Sequence, residues 1–535
     1  PMRAAFLLSS GDKPSKLEHF LEEKFSAFGK FYARTLGGSL RYPWLVVFVS
    51  AVLFMGSLFS ANKLRQEFVP PQDQDLIIIN AQTPTGSTLE TAEAASREIE
   101  KILAAKPYVR SFFSSVGAGG PSSEVNRMFI PVNLIPREER KETHLQLMDD
   151  LRRDFRELKN IRVSMRDNSA RNLTSGSQSP LSFYLRGPDL EILRTKAEEI
   201  SKRLETDGYA VDMDVDFKVG LPELVLIPNR DAMASYGVSI EAVARTLAAT
   251  VAGARQSRFT ADGRRYDIRV KLKDDRIQSS KDFEKIMVRN QFGLQVPLAK
   301  LVTFKEQTTY QAVTRVNRQR AVSVAGNIAP GGSQGAAITR AREIAREVLP
   351  EGYSLELEGA SAGLTESFQS LLLALILGVV VAYMILAVQF NSFIHPITIL
   401  VALPFSVTGA LLVLWAFSIS LNLFSFIGII VLMGIAKKNS ILLVEFANRL
   451  RAEGEKNVSF ALQKAGEIRI RPILMTSCAT VVAALPLVFG DSIGQETRTP
   501  MGLTIIGGTI VGTLFTLVVV PSLYLLFSRM ERQPK

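Results

Sequence analysis

The sequence predicts a fold in two parts: an α-helical membrane domain with six transmembrane helices, and an α+β domain of ferredoxin-like β-α-β units with a further subdomain inserted. Three observations predict it. Six apolar runs are long enough, or nearly so, to cross a bilayer, which takes about 20 helical residues. They are roughly Trp44 to Ala61, Leu371 to Phe390, Ile397 to Phe417, Leu423 to Phe446, Pro472 to Phe489 and Met501 to Phe527. One run stands alone and five cluster, leaving Asn62 to Ser370 as a single long stretch between them. Within that stretch, strand-like alternation and helix-like stripes recur in the same order.

Composition agrees with two parts, since 47% hydrophobic residues coexist with 21% charged ones, too many of each for a wholly soluble or wholly embedded chain. The net charge of +11 gathers at the ends of the apolar runs, a membrane signature, and no basic and aromatic nucleic-acid motif accompanies it. One cysteine, Cys478, supports neither a disulfide framework nor a Cys-based metal cluster. His19, His144 and His395 are scattered in sequence, so no metal is expected. Nothing at the start resembles a signal peptide, and Pro1 precedes Met2 as though the chain were cut from a longer one; an N-terminal half is expected to be missing.

Taken in order, Leu17, Phe20, Leu21, Phe25, Phe28, Phe31 and Tyr32 recur at helical spacing, with Lys16, Lys24 and Lys30 elsewhere on the turn. They predict an amphipathic helix on the inner membrane surface, with packing on protein as the alternative. After the first span, Leu76 to Ala81 reads as a strand, Ser87 and Glu90 as a capping box before a helix through Leu103, and Val109 to Phe113 as a strand. A second round gives strand Met128 to Leu134, a stripe of Leu145, Met148, Leu151, Phe155 and Leu158, and strand Ile161 to Met165. Another unit begins with strand Leu181 to Leu185, helix Leu190 to Leu204 and strand Val211 to Val215. It is completed by strand Ala321 to Ile328, helix Ala336 to Val348 and strand Tyr353 to Leu357. Pro222 to about Tyr310 is therefore an insertion, carrying helix Ile240 to Leu247 and the alternating Tyr266, Ile268, Val270 and Leu272.

Charge orients the spans. Arg449, Arg451, Lys456, Lys464, Arg469 and Arg471 lie between the fourth and fifth runs, and Arg529, Arg532 and Lys535 follow the last, so both segments are expected in the cytoplasm. Counting back puts the N-terminus inside and Asn62 to Ser370 on the far side of the membrane, which in a Gram-negative cell is the periplasm.

The fourth run holds Lys437 and Lys438 at its middle, where charge is costly. From Lys438 to the next basic residue, Arg449, the helical rise is roughly 16 Å, beyond comfortable snorkelling. A carboxylate or a wet cavity must meet at least one ammonium group, and the other spans of this chain offer no acid at matching depth.

Five stretches stand out: Phe68-Val-Pro-Pro-Gln-Asp-Gln74, Pro84-Thr-Gly-Ser-Thr-Leu-Glu90, Leu386-Ala-Val-Gln-Phe-Asn-Ser-Phe393, Gly434-Ile-Ala-Lys-Lys-Asn-Ser440 and Arg469-Ile-Arg-Pro-Ile-Leu-Met-Thr476. Together, in their order and spacing, they resemble the C-terminal half of a resistance-nodulation-division efflux pump of the hydrophobe and amphiphile exporter branch. The resemblance implies a cytoplasmic linker with the amphipathic helix over 1–41, a span over 42–61, one porter subdomain over 62–176 and a second over 177–221 and 313–362. It implies a docking subdomain over 222–312, five spans over 363–528 and a cytoplasmic tail over 529–535.

It also implies a proton relay of Lys438, Asn439, Arg469 and Thr476, with two adjacent aspartates supplied by the absent half. Lys437 departs from the pattern, in which a small residue precedes the lysine; Lys438 is chosen by alignment with Asn439, and geometry leaves both lysines open. Thr476 equally suits a bond to its own helix backbone, and Arg469 a membrane anchor. Phe113 and Phe183 fall where drug exporters present aromatic pocket walls, and both also suit a core. The glycine-rich Val116-Gly-Ala-Gly-Gly-Pro121 aligns with a switch loop that carries phenylalanines elsewhere, which speaks against broad drug specificity. Gly508 and Gly512, with Gly502 and Gly507 nearby, predict close helix contact in the last span. Implied partners are the missing half, a homotrimer, a periplasmic adaptor (membrane fusion protein), an outer-membrane channel and membrane lipid, with no nucleic acid and no cofactor.

Two other readings bear on function. A membrane-tethered enzyme lacks a Gly-x-Ser-x-Gly, His-Glu-x-x-His or phosphate-loop motif in this sequence. A related exporter of metal ions, lipids or signal molecules differs only in cargo; the 13 methionines are dispersed rather than clustered as a metal path would have them.

Overall fold

A computed structural model describes residues 16–61, 63–117, 125–166, 169, 173, 177, 179–217, 219–273, 280–310, 312–490 and 494–528. The glycine-rich 118–121 predicted to be a switch loop lies outside them. Two helices come first, α1 (Lys16–Arg41) and α2 (Pro43–Ala61). Next are β1 (Leu76–Gln82), α3 (Leu89–Ala104), β2 (Val109–Phe112), β3 (Arg127–Leu134), α4 (His144–Phe155) and β4 (Arg162–Arg166). The following unit opens with β5 (Leu181–Gly187), α5 (Leu190–Thr206) and β6 (Ala210–Asp216). It is interrupted by β7 (Val219–Pro228), α6 (Ile240–Leu247), β8 (Ala254–Ala261), β9 (Arg264–Val270) and β10 (Val302–Tyr310). It resumes with β11 (Gln319–Ile328), α7 (Gln334–Val348) and β12 (Ser354–Leu357). Five helices end the chain: α8 (Gly359–Phe390), α9 (His395–Ala416), α10 (Leu423–Ala452), α11 (Val458–Val488) and α12 (Gln495–Ser528).

The two sheets share one topology. In the first, β1 is flanked by β3 (Ile79 opposite Ile130) and β4 (Ile79 opposite Met165), with β2 outside β3, all antiparallel. In the second, β5 lies between β11 (Phe183 opposite Val324) and β12 (Phe183 opposite Leu357), with β6 outside β11. Each is a β-α-β-β-α-β split unit, and the predicted strand order is realised twice. The period of two explains the cores. Ile77, Ile79 and Ala81 face α3 and α4, whose Ile99, Leu103, Leu147, Leu151 and Phe155 are buried on them. Helix α4 opens with a capping box, Gln146 N–H to Thr143 Oγ1 at 3.4 Å and Thr143 N–H to Gln146 Oε1 at 2.9 Å. The box predicted at Ser87 is replaced: Ser87 donates to the Pro84 carbonyl at 2.7 Å, and Thr88 Oγ1 accepts the Thr91 N–H at 3.3 Å.

A second compact unit comprises Phe217–Thr314, which contains the insertion expected over Pro222 to about Tyr310, together with Thr83–Thr91, which the sequence reading assigns to the first unit. It has its own core of Met233, Val243, Val288, Leu298 and Leu301. Strands β7 and β10 form a long antiparallel ribbon, and β8 and β9 a hairpin on which Phe259 and Tyr266 stack at 5.3 Å.

Among the described residues six helices, α2 and α8 to α12, are long and apolar enough to cross a bilayer. Helix α12 is the hub, with 67% of its apolar window buried, against 6% for α8. The glycine stripe makes this packing fit: a Cβ on Gly507 would meet the Gly409 carbonyl of α9 at 2.8 Å, and one on Gly508 would meet the Ser406 carbonyl at 2.9 Å. Helix α8 starts at Gly359, well before the predicted run at Leu371, and its first turn is tied to β5 by the Ser182 N–H to Ser361 Oγ bond of 3.0 Å. Gly359 has φ +51, a conformation that favours glycine, and a Cβ there would collide with the Ser177 carbonyl.

Helix α1 divides its apolar stripe. Tyr32, Leu36 and Leu40 are buried against α11 and α12, and the Tyr32 hydroxyl donates to the Leu517 carbonyl at 2.7 Å. Phe31 is 65% exposed. Tyr32, Leu36 and Leu40 thus pack on protein, while Phe31, Arg34 and Thr35 stay exposed.

Candidate functional site

The membrane site is carried by α10. Asn422 starts the helix by accepting the N–H groups of Phe424 and Ser425 at 3.0 Å each, while Ser425 Oγ accepts the Asn422 N–H at 2.8 Å. The helix runs for 30 residues, roughly 45 Å, and Lys437 and Lys438 occupy its middle. Lys437 is half-buried and Lys438 exposed. Among the described residues neither has a carboxylate within ion-pair distance. Lys438 belongs to an exposed stripe with Val431, Gly434, Glu445 and Arg449, which are spaced by three, four or seven residues and so share one face of the helix.

Asn439 points the other way, into the bundle, and is 6% exposed. Its amide donates to Ser477 Oγ of α11 at 3.1 Å and to Thr513 Oγ1 of α12 at 3.3 Å, and those two hydroxyls lie 2.9 Å apart. Thr476 joins weakly: its hydroxyl is 3.5 Å from Asn439 Oδ1 but 3.1 Å from the Ile473 carbonyl of its own helix. Arg469 sits two turns from Thr476 on α11. Its guanidinium lies over the Phe446 ring of α10 at 4.7 Å, and its buried Nε has no hydrogen-bond partner.

Of the four expected relay residues, the structure thus brings Asn439 and Thr476 together, turns Lys438 outward and sets Arg469 apart beside Phe446. Ser477, Thr513 and Glu445 were not anticipated. Hydroxyls inside apolar runs were the available signal for the first two. Thr513 follows Gly512, whose missing side chain lets α12 pack closely on Ser406 of α9.

The two aromatic positions separate. Phe113 is 65% exposed just beyond β2. Phe183 is fully buried, because Leu181, Phe183 and Leu185 all face the second core. It is a core side chain here, and the expectation of a pocket wall does not suit its position.

A cavity of about 590 Å³ lies among the segment after α2, helix α4, the end of β11 and the N-terminal turn of α12. Phe68, Pro70, Leu145, Met148, Ile328 and Pro500 give it apolar walls. Its guanidinium groups are already engaged: Arg65 with the Ser418 carbonyl at 3.0 Å, Arg137 with Glu496, and Arg152 with Asp212 at 2.9 Å. Nearby, a buried cluster joins the segment after α2 to α4. Arg140 pairs with Asp73 and, at 2.7 Å, with Asp75, while the His144 N–H donates to Asp73 at 2.9 Å. Burial raises the Asp73 pKa, but hydrogen bonds from His144 and Arg140 outweigh it and hold the carboxyl well below the usual carboxylate range.

The family model described as AcrB/AcrD/AcrF matches residues 1–528. The chain belongs to this family. An uncharacterized transporter of Haemophilus influenzae is 27% identical over 532 residues, covering 98% of this chain and 51% of that protein. Two crystal forms of a heavy metal efflux pump share the fold, each with a TM-score of 0.83 over 94% of this chain and 52% of theirs, at 22% and 21% identity. The chain spans about half the length of the curated relatives it matches. Family and fold are those of RND transporters rather than enzymes, and the apolar helices make it a multi-pass membrane protein.

Proposed function

We propose that this chain is the C-terminal half of a proton-driven efflux transporter of the bacterial inner membrane, exporting hydrophobic or amphiphilic compounds. The observation that carries this is Lys438, at the middle of a membrane-spanning helix, outward-facing, and with no carboxylate within ion-pair distance among the described residues. A charge so placed is costly unless something meets it. The missing half would supply carboxylates opposite; protonating them from the periplasmic side cancels the attraction and lets the helices rearrange. Asn439, held by Ser477 and Thr513, fixes the rotation of α10 so that Lys438 keeps facing that way. Thr476 and Arg469 would line the same path.

The two split α/β units act as porter subdomains and the unit containing Phe217–Thr314 as a docking subdomain, all periplasmic. The cavity at Phe68, with apolar walls and its guanidinium groups already engaged, suits an amphiphile better than a bare ion. Phe113 would serve as an exposed aromatic contact on the cargo's path. A homotrimer, a periplasmic adaptor and an outer-membrane channel complete the assembly. The second reading is a metal cargo, favoured by the likeness to a heavy metal efflux pump. Soft thioether ligands would carry it, and the methionines of this chain are spread through the sequence.

The test is Lys438→Met in the complete protein, with substrate-induced proton flux read in proteoliposomes. Proton-coupled transport should vanish while insertion and assembly persist. Coupled transport by this variant would remove the lysine from the mechanism.

A further inference from the structure

The exposed stripe of α10 carries a second ionisable group in addition to Lys438. Glu445 follows Lys438 by seven residues, two turns on the same face and roughly 10.5 Å along the axis. With the hydrocarbon layer about 30 Å thick and centred near Lys438, Glu445 stays inside it while Arg449 reaches its edge. A carboxylate at that depth costs free energy wherever its face meets lipid, so the stripe faces water or protein. Its neighbours leave it unneutralised: Arg449, one turn further, is bonded to Glu453 at 3.0 Å, and Glu445 has no hydrogen-bond or ion-pair partner among the described residues. On α11, Arg469 sets its guanidinium over Phe446, the residue that follows Glu445 in sequence, and its buried Nε has no hydrogen-bond partner among the described residues. From α12 and α9 the polar groups are Tyr524 and His395, stacked on one another at 5.4 Å, and Tyr524 is held by Asn448 and Arg451.

We propose that Glu445 is the proton-release group on the cytoplasmic side of the membrane site. This rests on the proton-coupled reading of Lys438. A proton leaving the carboxylates opposite Lys438 crosses the intervening two turns on water and protonates the Glu445 carboxylate. The resulting carboxylic acid then gives that proton to cytoplasmic water and returns to the carboxylate, so one proton moves inward and Glu445 is regenerated.

The experiment measures substrate-induced proton flux by the complete protein in proteoliposomes, with the pH on the cytoplasmic side varied, for Glu445→Gln, Glu445→Asp and Lys438→Met. Gln keeps the size and hydrogen-bonding capacity of the side chain but cannot carry the proton. It should lower the maximal rate about tenfold or more, leave the KM for cargo unchanged and remove the response to cytoplasmic pH, while Asp restores most of the rate. The proposal is overturned by a Gln variant within twofold of wild type at every pH, and equally by an Asp variant as slow as Gln, which would mean that size rather than titration matters. Lys438→Met separates the two ideas. If it abolishes coupling and Glu445→Gln does not, only the release group is wrong; if it keeps coupling, the parent reading is wrong.

Discussion

Asp73→Asn is the substitution whose consequence can be worked furthest. Asp73 and Arg140 have side chains 3% and 2% exposed, and together they fasten the segment that leaves α2 to the start of α4. Removing one partner of a buried ion pair typically costs about 3–5 kcal/mol, because the other charge is left buried. Here Arg140 keeps Asp75 at 2.7 Å and the carbonyls of Ile135 at 3.0 Å and Glu142 at 2.7 Å. The His144 N–H, in contrast, would face a weaker amide acceptor. These retained bonds place the loss at the low end, about 3 kcal/mol. For a unit of 150–250 residues that corresponds to a melting temperature lower by about 6–12 °C.

The assay is thermal unfolding of the purified protein in detergent, with Arg140→Met and the double variant alongside. Each single variant should lose most of the stabilisation, and the double should lose less than their sum, because no unpaired charge remains. The pH sign follows from the lowered carboxyl: its stabilisation is complete above the unfolded value of about 4 and is lost as pH falls below it toward the folded value. Wild type and Asp73→Asn should therefore differ most at neutral pH and converge in acid. Single variants melting within 2 °C of wild type at pH 7, or a difference that grows in acid, would refute the reasoning.

Three further outcomes are expected. Gly507→Ala should cost about 1–3 kcal/mol through contact with the Gly409 carbonyl and Val413, seen as a lower melting temperature and reduced yield in membranes. Asn439→Leu, which removes the amide donor that Ser477 and Thr513 share and leaves them bonded only to each other, should cost about 1–2 kcal/mol and lower the transport rate at unchanged KM, measured by thermal unfolding and vesicle transport. Phe183→Ala should destabilise by about 3–5 kcal/mol in denaturant or heat with the cargo spectrum unchanged, as befits a core side chain; altered selectivity at full stability would return it to the cargo path.

How much of this was legible in the sequence depended on the range of the interaction that decides each feature. Strands such as Leu76–Gln82 and Leu181–Gly187 alternate with period two because each sheet has one buried face, and helices such as Ile240–Leu247 carry their own cap and stripe; both signals are local and were readable. The start of α8 was not readable, because hydropathy marks where a helix enters lipid, not where it begins; its first turns are set by Gly359 and the Ser182–Ser361 bond to a distant strand. The same distinction runs through the site. Lys438 announced itself because a charge among apolar residues is improbable wherever it points, whereas Asn439, Ser477 and Thr513 gain meaning only when three helices bring them together. Glu445 escaped notice for a related reason: near the end of an apolar run it reads as the edge of the membrane, and only the rotation of α10, fixed by Asn439, puts it on the lysine's face. A buried amide turned inward and an exposed ammonium turned outward on adjacent residues are thus two parts of one device, since a helix that anchors the first must present the second. Any substitution that frees Asn439 should therefore loosen the orientation of Lys438 and Glu445 together.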